Sequence, residues 1–274
     1  MSERIAANYG DRGLYCIEHA FVPAIQLVID FDGPLDGATL LSSTERLLEA
    51  EPVLASRFVP KFIGPYWKPL ESTELREKGL LHLDRCRSGD DLDWVSQPFL
   101  AEPMDPDAGP QVRFQLIKGD ERDRLILKLS HRVGDTAATK QVGYALAEIY
   151  GELLRDVDFR PEPNQNDRGM WQTFKGMPPH ELPRVFAQGL ATDLDNIRAG
   201  KTLTVKVGKE QRGRPVFVMR HIEPDMVGGF VRFGHERGAT LNDLFLTGFL
   251  RALIRFENWD GKTAVRLAGT VDLR

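Results

Sequence analysis

Leu127-Lys128-Leu129-Ser130-His131-Arg132-Val133-Gly134-Asp135-Thr136 runs from an apolar, strand-like stretch into a turn, and Ala137-Ala138-Thr139-Lys140-Gln141 then opens a helical pattern. A strand end beside a helix start is a rigid mount, so a histidine at that point is held firmly and still reaches a cleft. Imidazole titrates near neutral pH, which makes His131 a candidate general base. Asp135 precedes the helical pattern, where a side-chain oxygen accepts the orphan N–H groups of a first helical turn. On residue type alone, a single histidine at a strand end is more often a structural residue than a base, and Asp135 is more a helix cap than a reacting group.

The flanking sequence extends this unit in both directions. Val112 to Lys118 and Arg124 to Leu129 read as a hairpin across the polar residues 119–123; Val112, Phe114 and Leu116 alternate with Arg113, Gln115 and Ile117, the period-two pattern of a half-buried strand. From Asp135 to Leu154, the residues Ala138, Val142, Ala145, Ile149 and Leu153 form one helical stripe. Upstream, Phe21 to Phe31 reads as a strand, residues 32–37 as a turn, and Leu40, Leu41, Thr44, Leu47 and Leu48 as a helix ended by Pro52. Val53 to Val59 reads as a strand, Ile63 to Leu70 as an extended piece broken by Gly64-Pro65, and Glu71 to Pro110 as a mixed region with short helices.

Downstream, Pro161, Pro163, Asn164, Asn166, Gly169, Gly176, Pro178 and Pro179 mark a linker. A helix follows over Glu181 to Ile197, then strands over Thr202 to Val207 and Pro215 to Ile222, and a helix over Pro224 to Glu236. The helix from Leu241 to Phe256 has the broadest apolar face, and Thr240 with Asp243 gives it a capping box. Ala264 to Val271 reads as a last strand. The pattern predicts an α/β chain with a first lobe over residues 1–158, a linker and connecting helix over 159–199, and a partial second lobe over 200–274. That second lobe has few elements to cover the wide face of its last helix.

Of 274 residues, 42% are hydrophobic and 28% charged, a globular composition. A net charge of −4 argues against a dedicated nucleic-acid binder. Cys16 and Cys86 have no metal-ligand spacing, and free thiols are the expectation. Residues 1–8 lack the apolar core of a signal peptide, and no apolar run is long enough for a membrane span, so the expected compartment is cytoplasmic. His19, His82, His180, His221 and His235 have no paired spacing, and a metal at His131 and Asp135 lacks a third ligand nearby in sequence. Lys201, Lys206, Lys209, Arg212 and Arg214 read as a solvated face before they read as a phosphate site.

These segments together resemble the superfamily of condensation domains and CoA-dependent acyltransferases, which includes chloramphenicol acetyltransferase, polyketide-associated acyltransferases and wax ester synthases. The family motif His-His-x-x-x-Asp-Gly stands here as Ser130-His131-Arg132-Val133-Gly134-Asp135-Thr136. Phe31-Asp32-Gly33-Pro34-Leu35-Asp36 before a helix, and Glu51-Pro52-Val53-Leu54-Ala55-Ser56-Arg57-Phe58 after it, are similar to the family's first strand, helix and following strand. Gly238-Ala239-Thr240-Leu241-Asn242-Asp243-Leu244-Phe245-Leu246 and Thr270-Val271-Asp272-Leu273-Arg274 are similar to a helix and strand of its second lobe. Ser130 and Thr136 replace the family's first histidine and its glycine, and the family's second lobe continues beyond the segment that Arg274 matches.

The resemblance implies a chloramphenicol acetyltransferase-like two-lobe sandwich and transfer of an acyl group from a thioester, on CoA or on a carrier protein's phosphopantetheine, to a hydroxyl or amine acceptor. His131 is then the general base, and no metal or bound cofactor is needed. Asp135 is structural, pairing with an arginine for which Arg274, Arg132 and Arg57 are candidates. Ser130, Gly134 and Thr136 line the motif and the substrate channel, where the branched Thr136 narrows the space that a glycine leaves open. An acyl or peptidyl carrier protein is the implied macromolecular partner. The alternative is a condensation-like binding or scaffold protein that has lost the chemistry.

Overall fold

The computed structural model describes residues 4–17, 24–61, 63–87, 91–164, 168, 176–185, 187–188, 190–191 and 215–265. It divides into two compact units: Met1–Phe174 with Pro215–Phe217, and Lys175–Arg214 with Val218–Arg274.

The first unit contains β1 (Ile5–Ala6), α1 (Tyr9–Ile17), β2 (Ala24–Phe31), α2 (Gly37–Ala50), β3 (Ser56–Val59), β4 (Tyr66–Pro69), α3 (Ser72–Lys78), β5 (Leu81–Arg85), α4 (Leu92–Ala101), β6 (Val112–Lys118), β7 (Asp123–Ser130) and α5 (Thr136–Leu153). Its main sheet has the order β2-β7-β6-β5; a smaller sheet has the order β1-β4-β3. The expected hairpin forms, with Val112 opposite Leu129 and Phe114 opposite Leu127. β2 pairs antiparallel with the other edge of β7, from Ala24 opposite Ser130 to Phe31 opposite Asp123. Every residue of β7 is buried.

Leu125, Leu127 and Leu129 join Phe114, Leu116, Leu40, Leu47, Leu146 and Ile149 in the main core. Each such side chain contributes about 1.5–3 kcal/mol on burial, which outweighs the modest helix propensities of α2 and α5. α5 lies close on the sheet: a Cβ placed on Gly143 would stand 2.9 Å from Leu27 Cδ2.

The alternation in β6 and β7 predicts one solvated face, but the structure covers that face with α4. Arg124 donates to both oxygens of Asp30, at 2.6 and 2.9 Å, and to Asp93 on α4 at 2.7 Å. The hydrogen bonds from Arg124 hold the Asp30 carboxyl below the usual range, and the same bonds raise the Arg124 guanidinium. Lys128, 1% exposed, donates to the carbonyls of Phe99, Leu100 and Glu102. It therefore caps the C-terminus of α4, where unpaired carbonyls and the helix dipole favour a cation.

Two strand readings give way to local hydrogen bonding. Val53 to Val59 begins as a turn, because Leu54 N–H bonds to the Glu51 carbonyl and Ser56 N–H to the Val53 carbonyl. Val53, Leu54 and Ala55 are buried as turn residues, so their apolar run carried no strand. Residues 215–222 have no regular structure; the backbone of Phe217 is met by the side chain of Gln97, at 2.9 and 2.7 Å, in place of a neighbouring strand. The strand expected at 202–207 lies outside the described residues, as do 266–271 of the last expected strand.

In the second unit, α6 (Pro224–His235) and α7 (Leu241–Phe256) pack together, with the rings of Phe230 and Phe245 6.3 Å apart. The predicted capping box closes α7: Thr240 Oγ1 accepts from Asp243 N–H at 3.2 Å, and Asp243 accepts from Thr240 N–H at 2.8 Å. Residues 182–185, 187–188 and 190–191 are helical, within the helix expected over 181–197. Among the described residues, no helix is long and apolar enough to cross a membrane. Cys16 is exposed, Cys86 is buried, and they are not joined.

Lys128 provides a test of the covered face. Burial, then the charge of Arg113, pushes its ammonium down to about 8, against about 10.4 for an unperturbed lysine. Below the folded value, both states are protonated and the burial penalty is fully present. Between the two values, the unfolded chain binds more protons, so unfolding free energy rises with pH. Lys128→Met takes a donor from all three carbonyls and strands that of Glu102, because Leu100 also accepts from Gln26 at 3.0 Å and Phe99 from the Glu102 N–H at 3.3 Å. It should destabilise the protein by about 1–3 kcal/mol at pH 7, and urea melts should show the gap to wild type widening by pH 9.5. A gap that stays constant with pH would show that Lys128 keeps an ordinary titration.

Candidate active site

β7 ends at Ser130, and α5 begins at Thr136. The five residues between them form a tight turn, begun by the Val133 N–H on the Ser130 carbonyl at 3.1 Å. His131 stands at its start, half-buried. Its Nδ1 lies 3.0 Å from the Gly134 carbonyl. A carbonyl only accepts, so this contact assigns the proton to Nδ1 and, in the neutral ring, the lone pair to Nε2. A ring held in that tautomer can take a proton at Nε2 from an attacking hydroxyl or amine.

Asp135 caps α5: its carboxylate accepts the Ala138 N–H at 2.8 Å, and its carbonyl accepts the Thr139 hydroxyl at 2.9 Å. Of the arginines considered for it, Arg132 bonds to Asp107 at 2.5 Å and Arg57 stands 3.5 Å from Glu74; Arg274 lies outside the described residues. Ser130 does not face the same way as His131. It is fully buried, its N–H bonds to the Gln111 carbonyl at 2.8 Å, and its hydroxyl has no protein partner among the described residues.

Within the turn, the backbone is tightly packed at Gly134. A Cβ there would stand 2.7 Å from Ala138 Cβ and 3.3 Å from Leu129 Cδ2, whereas Thr136 is exposed as the first residue of α5. The turn thus needs a glycine at 134 for packing.

A chain of three residues outside the motif ends on this turn. Arg168 Nη2 donates to the Val133 carbonyl at 3.2 Å and to Asp11 Oδ1 at 3.2 Å. Asp11 in turn accepts from Trp67 Nε1 at 2.8 Å. Sequence reading missed all three. A local signal exists for Asp11 alone, since Asn8 and Asp11 cap α1 reciprocally: Asn8 N–H to Asp11 at 3.0 Å and Asp11 N–H to Asn8 at 2.8 Å.

Two substitutions check the turn. Gly134→Ala forces a side chain into filled space and should cost about 1–3 kcal/mol, read in thermal or urea melts. Ser130→Ala removes an unpaired buried hydroxyl and should leave stability unchanged or raise it by up to about 1 kcal/mol. A clear loss of stability in Ser130→Ala would mean that the hydroxyl is paired.

No family model matches the chain. Malformin synthetase from Aspergillus niger is 25% identical over 154 residues, 56% of this chain and 3% of that protein; the chain thus spans a small fraction of its curated relatives. The first condensation domain of the calcium-dependent antibiotic synthetase, solved with a substrate analogue, superposes with a TM-score of 0.67 at 22% identity over 93% of this chain and 62% of that one. Polyketide synthase associated protein 5 from Mycobacterium tuberculosis superposes with a TM-score of 0.63 at 15% identity over 94% of this chain and 59% of that one. The resemblance read from the motif and its flanking segments therefore holds for the architecture, and the chain has the chloramphenicol acetyltransferase-like fold of the condensation domains, of which it covers about three fifths of the length.

Proposed function

We propose that this chain carries the general base of an acyl-transfer site, in which a thioester on CoA or on a carrier protein's phosphopantetheine is attacked by an amine or hydroxyl. The observation that carries the reading is the His131 ring, held by the Gly134 carbonyl through Nδ1 at the end of a rigid strand. Nε2 takes the proton of the nucleophile as it attacks the thioester carbonyl. The tetrahedral intermediate then collapses, the carbon–sulfur bond breaks, and the proton passes from Nε2 to the leaving thiolate. General base catalysis of this kind supplies about 10²–10⁴-fold, and positioning of donor against acceptor supplies the rest. Asp135 shapes the turn and caps α5 and does not take part in proton transfer.

Ser130 and Thr136, where the motif has histidine and glycine, motivate a second reading: a condensation-like protein that binds acyl carriers without turning them over. The two are separated by incubating the chain with acyl-CoA and acyl-carrier-protein donors and a panel of amine and alcohol acceptors. Turnover is expected, and His131→Ala should reduce it by at least about 10²-fold while circular dichroism and melting stay those of the wild type. Full activity in His131→Ala would sink the base assignment. Carrier binding with no turnover in the wild type would favour the second reading.

A further inference from the structure

The turn that carries His131 is clamped from behind by groups remote in sequence. Arg132, 3% exposed, places its guanidinium 4.9 Å from the Tyr15 ring and 5.1 Å from the Phe58 ring, and bonds to Asp107. On the same side, one nitrogen of Arg168 bridges the Val133 carbonyl and Asp11. Asp11 is 2% exposed and cannot swing: Trp67 Nε1 and the Asn8 N–H fix its other oxygen, and Trp67 is itself fully buried. The Asn8 side chain also donates to the Arg168 carbonyl at 2.8 Å, so both ends of Arg168 are tied to the start of α1.

Restraint is needed at this point. The Val133 carbonyl belongs to the peptide that enters Gly134, and a glycine has the least torsional resistance of any residue. A change in the Gly134 torsions turns the Gly134 carbonyl relative to that peptide and away from His131 Nδ1, and with it goes the hydrogen bond that sets the tautomer. Packing demands the glycine, so rigidity has to come from outside the turn.

We propose that Arg168 is a positioning residue for His131, acting by holding the Val133 carbonyl against the buried Asp11 carboxylate. The inference deepens the reading of His131 as the base and rests on it for its catalytic consequence, but not for its structural one. Asp11 and Trp67 are the anchor, and Arg168 is the link. A lysine at 168 retains the charge for Asp11, but its shorter side chain does not carry a nitrogen to the place of Arg168 Nη2, between the two acceptors.

The test uses the whole chain with ¹⁵N-labelled histidine. Long-range proton–nitrogen correlation reads which ring nitrogen of His131 bears the proton, with the signal assigned through His131→Gln. Wild type should show the Nδ1–H form. Arg168→Ala should shift the population towards the Nε2–H form and lower kcat for acyl transfer by about tenfold to a hundredfold, with KM within about twofold. Arg168→Lys should recover part of both effects. A wild-type ring signature and kcat in a folded Arg168→Ala protein overturns the proposal. If Arg168→Ala does not fold, Asp11→Asn and Arg168→Lys decide by the same two readouts, and an unchanged ring in both overturns it. A ring that responds in a chain that turns over no thioester overturns the acyl-transfer reading and leaves the positioning role standing.

Discussion

β7 is hydrogen-bonded along both edges and covered on both faces, and the placement of His131 depends on that confinement. Its leucines face α2 and α5, and its two basic residues, Arg124 and Lys128, face α4. A one-residue slip of register would exchange the two sets, putting Arg124 and Lys128 into the leucine core and the leucines against carboxylates and carbonyls. The cost of stranding two buried cations makes the register single-valued. The strand therefore ends at one place, and the turn after Ser130 starts from a fixed point. The same charges make α4 a required part of the fold: its C-terminal carbonyls receive Lys128, and its Asp93 receives Arg124.

Chemistry at the turn follows from two opposed demands. Gly134 has to be a glycine because Ala138 and Leu129 fill the space where a Cβ would stand. A glycine, however, gives a soft backbone at the residue whose carbonyl orients His131. The clamp through Arg168, Asp11 and Trp67 meets that difficulty by supplying stiffness from α1 and β4, elements far away in sequence. Thr136 bears on neither demand, since it is exposed at the start of α5.

Readings that rested on local physics held where the local cause also acts in the folded chain. The hairpin over 112–129, the caps at Asp135 and Thr240, and the helix faces of α2 and α5, apart from the exposed Leu41, are set by alternation, by orphan N–H groups and by apolar spacing. The strand assigned to Val53 failed because a run of buried apolar residues is equally compatible with a buried turn, and the choice was made by hydrogen bonds from Leu54 and Ser56 back to residues 51 and 53. Residues 215–222 were misread for the converse reason: a strand needs a neighbour, and at Phe217 a glutamine side chain supplies those bonds instead.

By itself, the sequence determined the α/β alternation, the strand–turn–helix mount of His131 and the cap role of Asp135, because each depends on contacts spanning only a few residues. Only the tertiary structure decided that the polar face of the sheet is buried under α4, that Gly134 is packed against Ala138 and Leu129, and that Arg168 links the turn to Asp11, 157 residues away from it in sequence. Those facts depend on which surfaces meet. A lysine in an alternating strand reads the same whether it faces water or three helix-terminal carbonyls, and an arginine in a proline-rich connection has no local pattern that announces its acceptor.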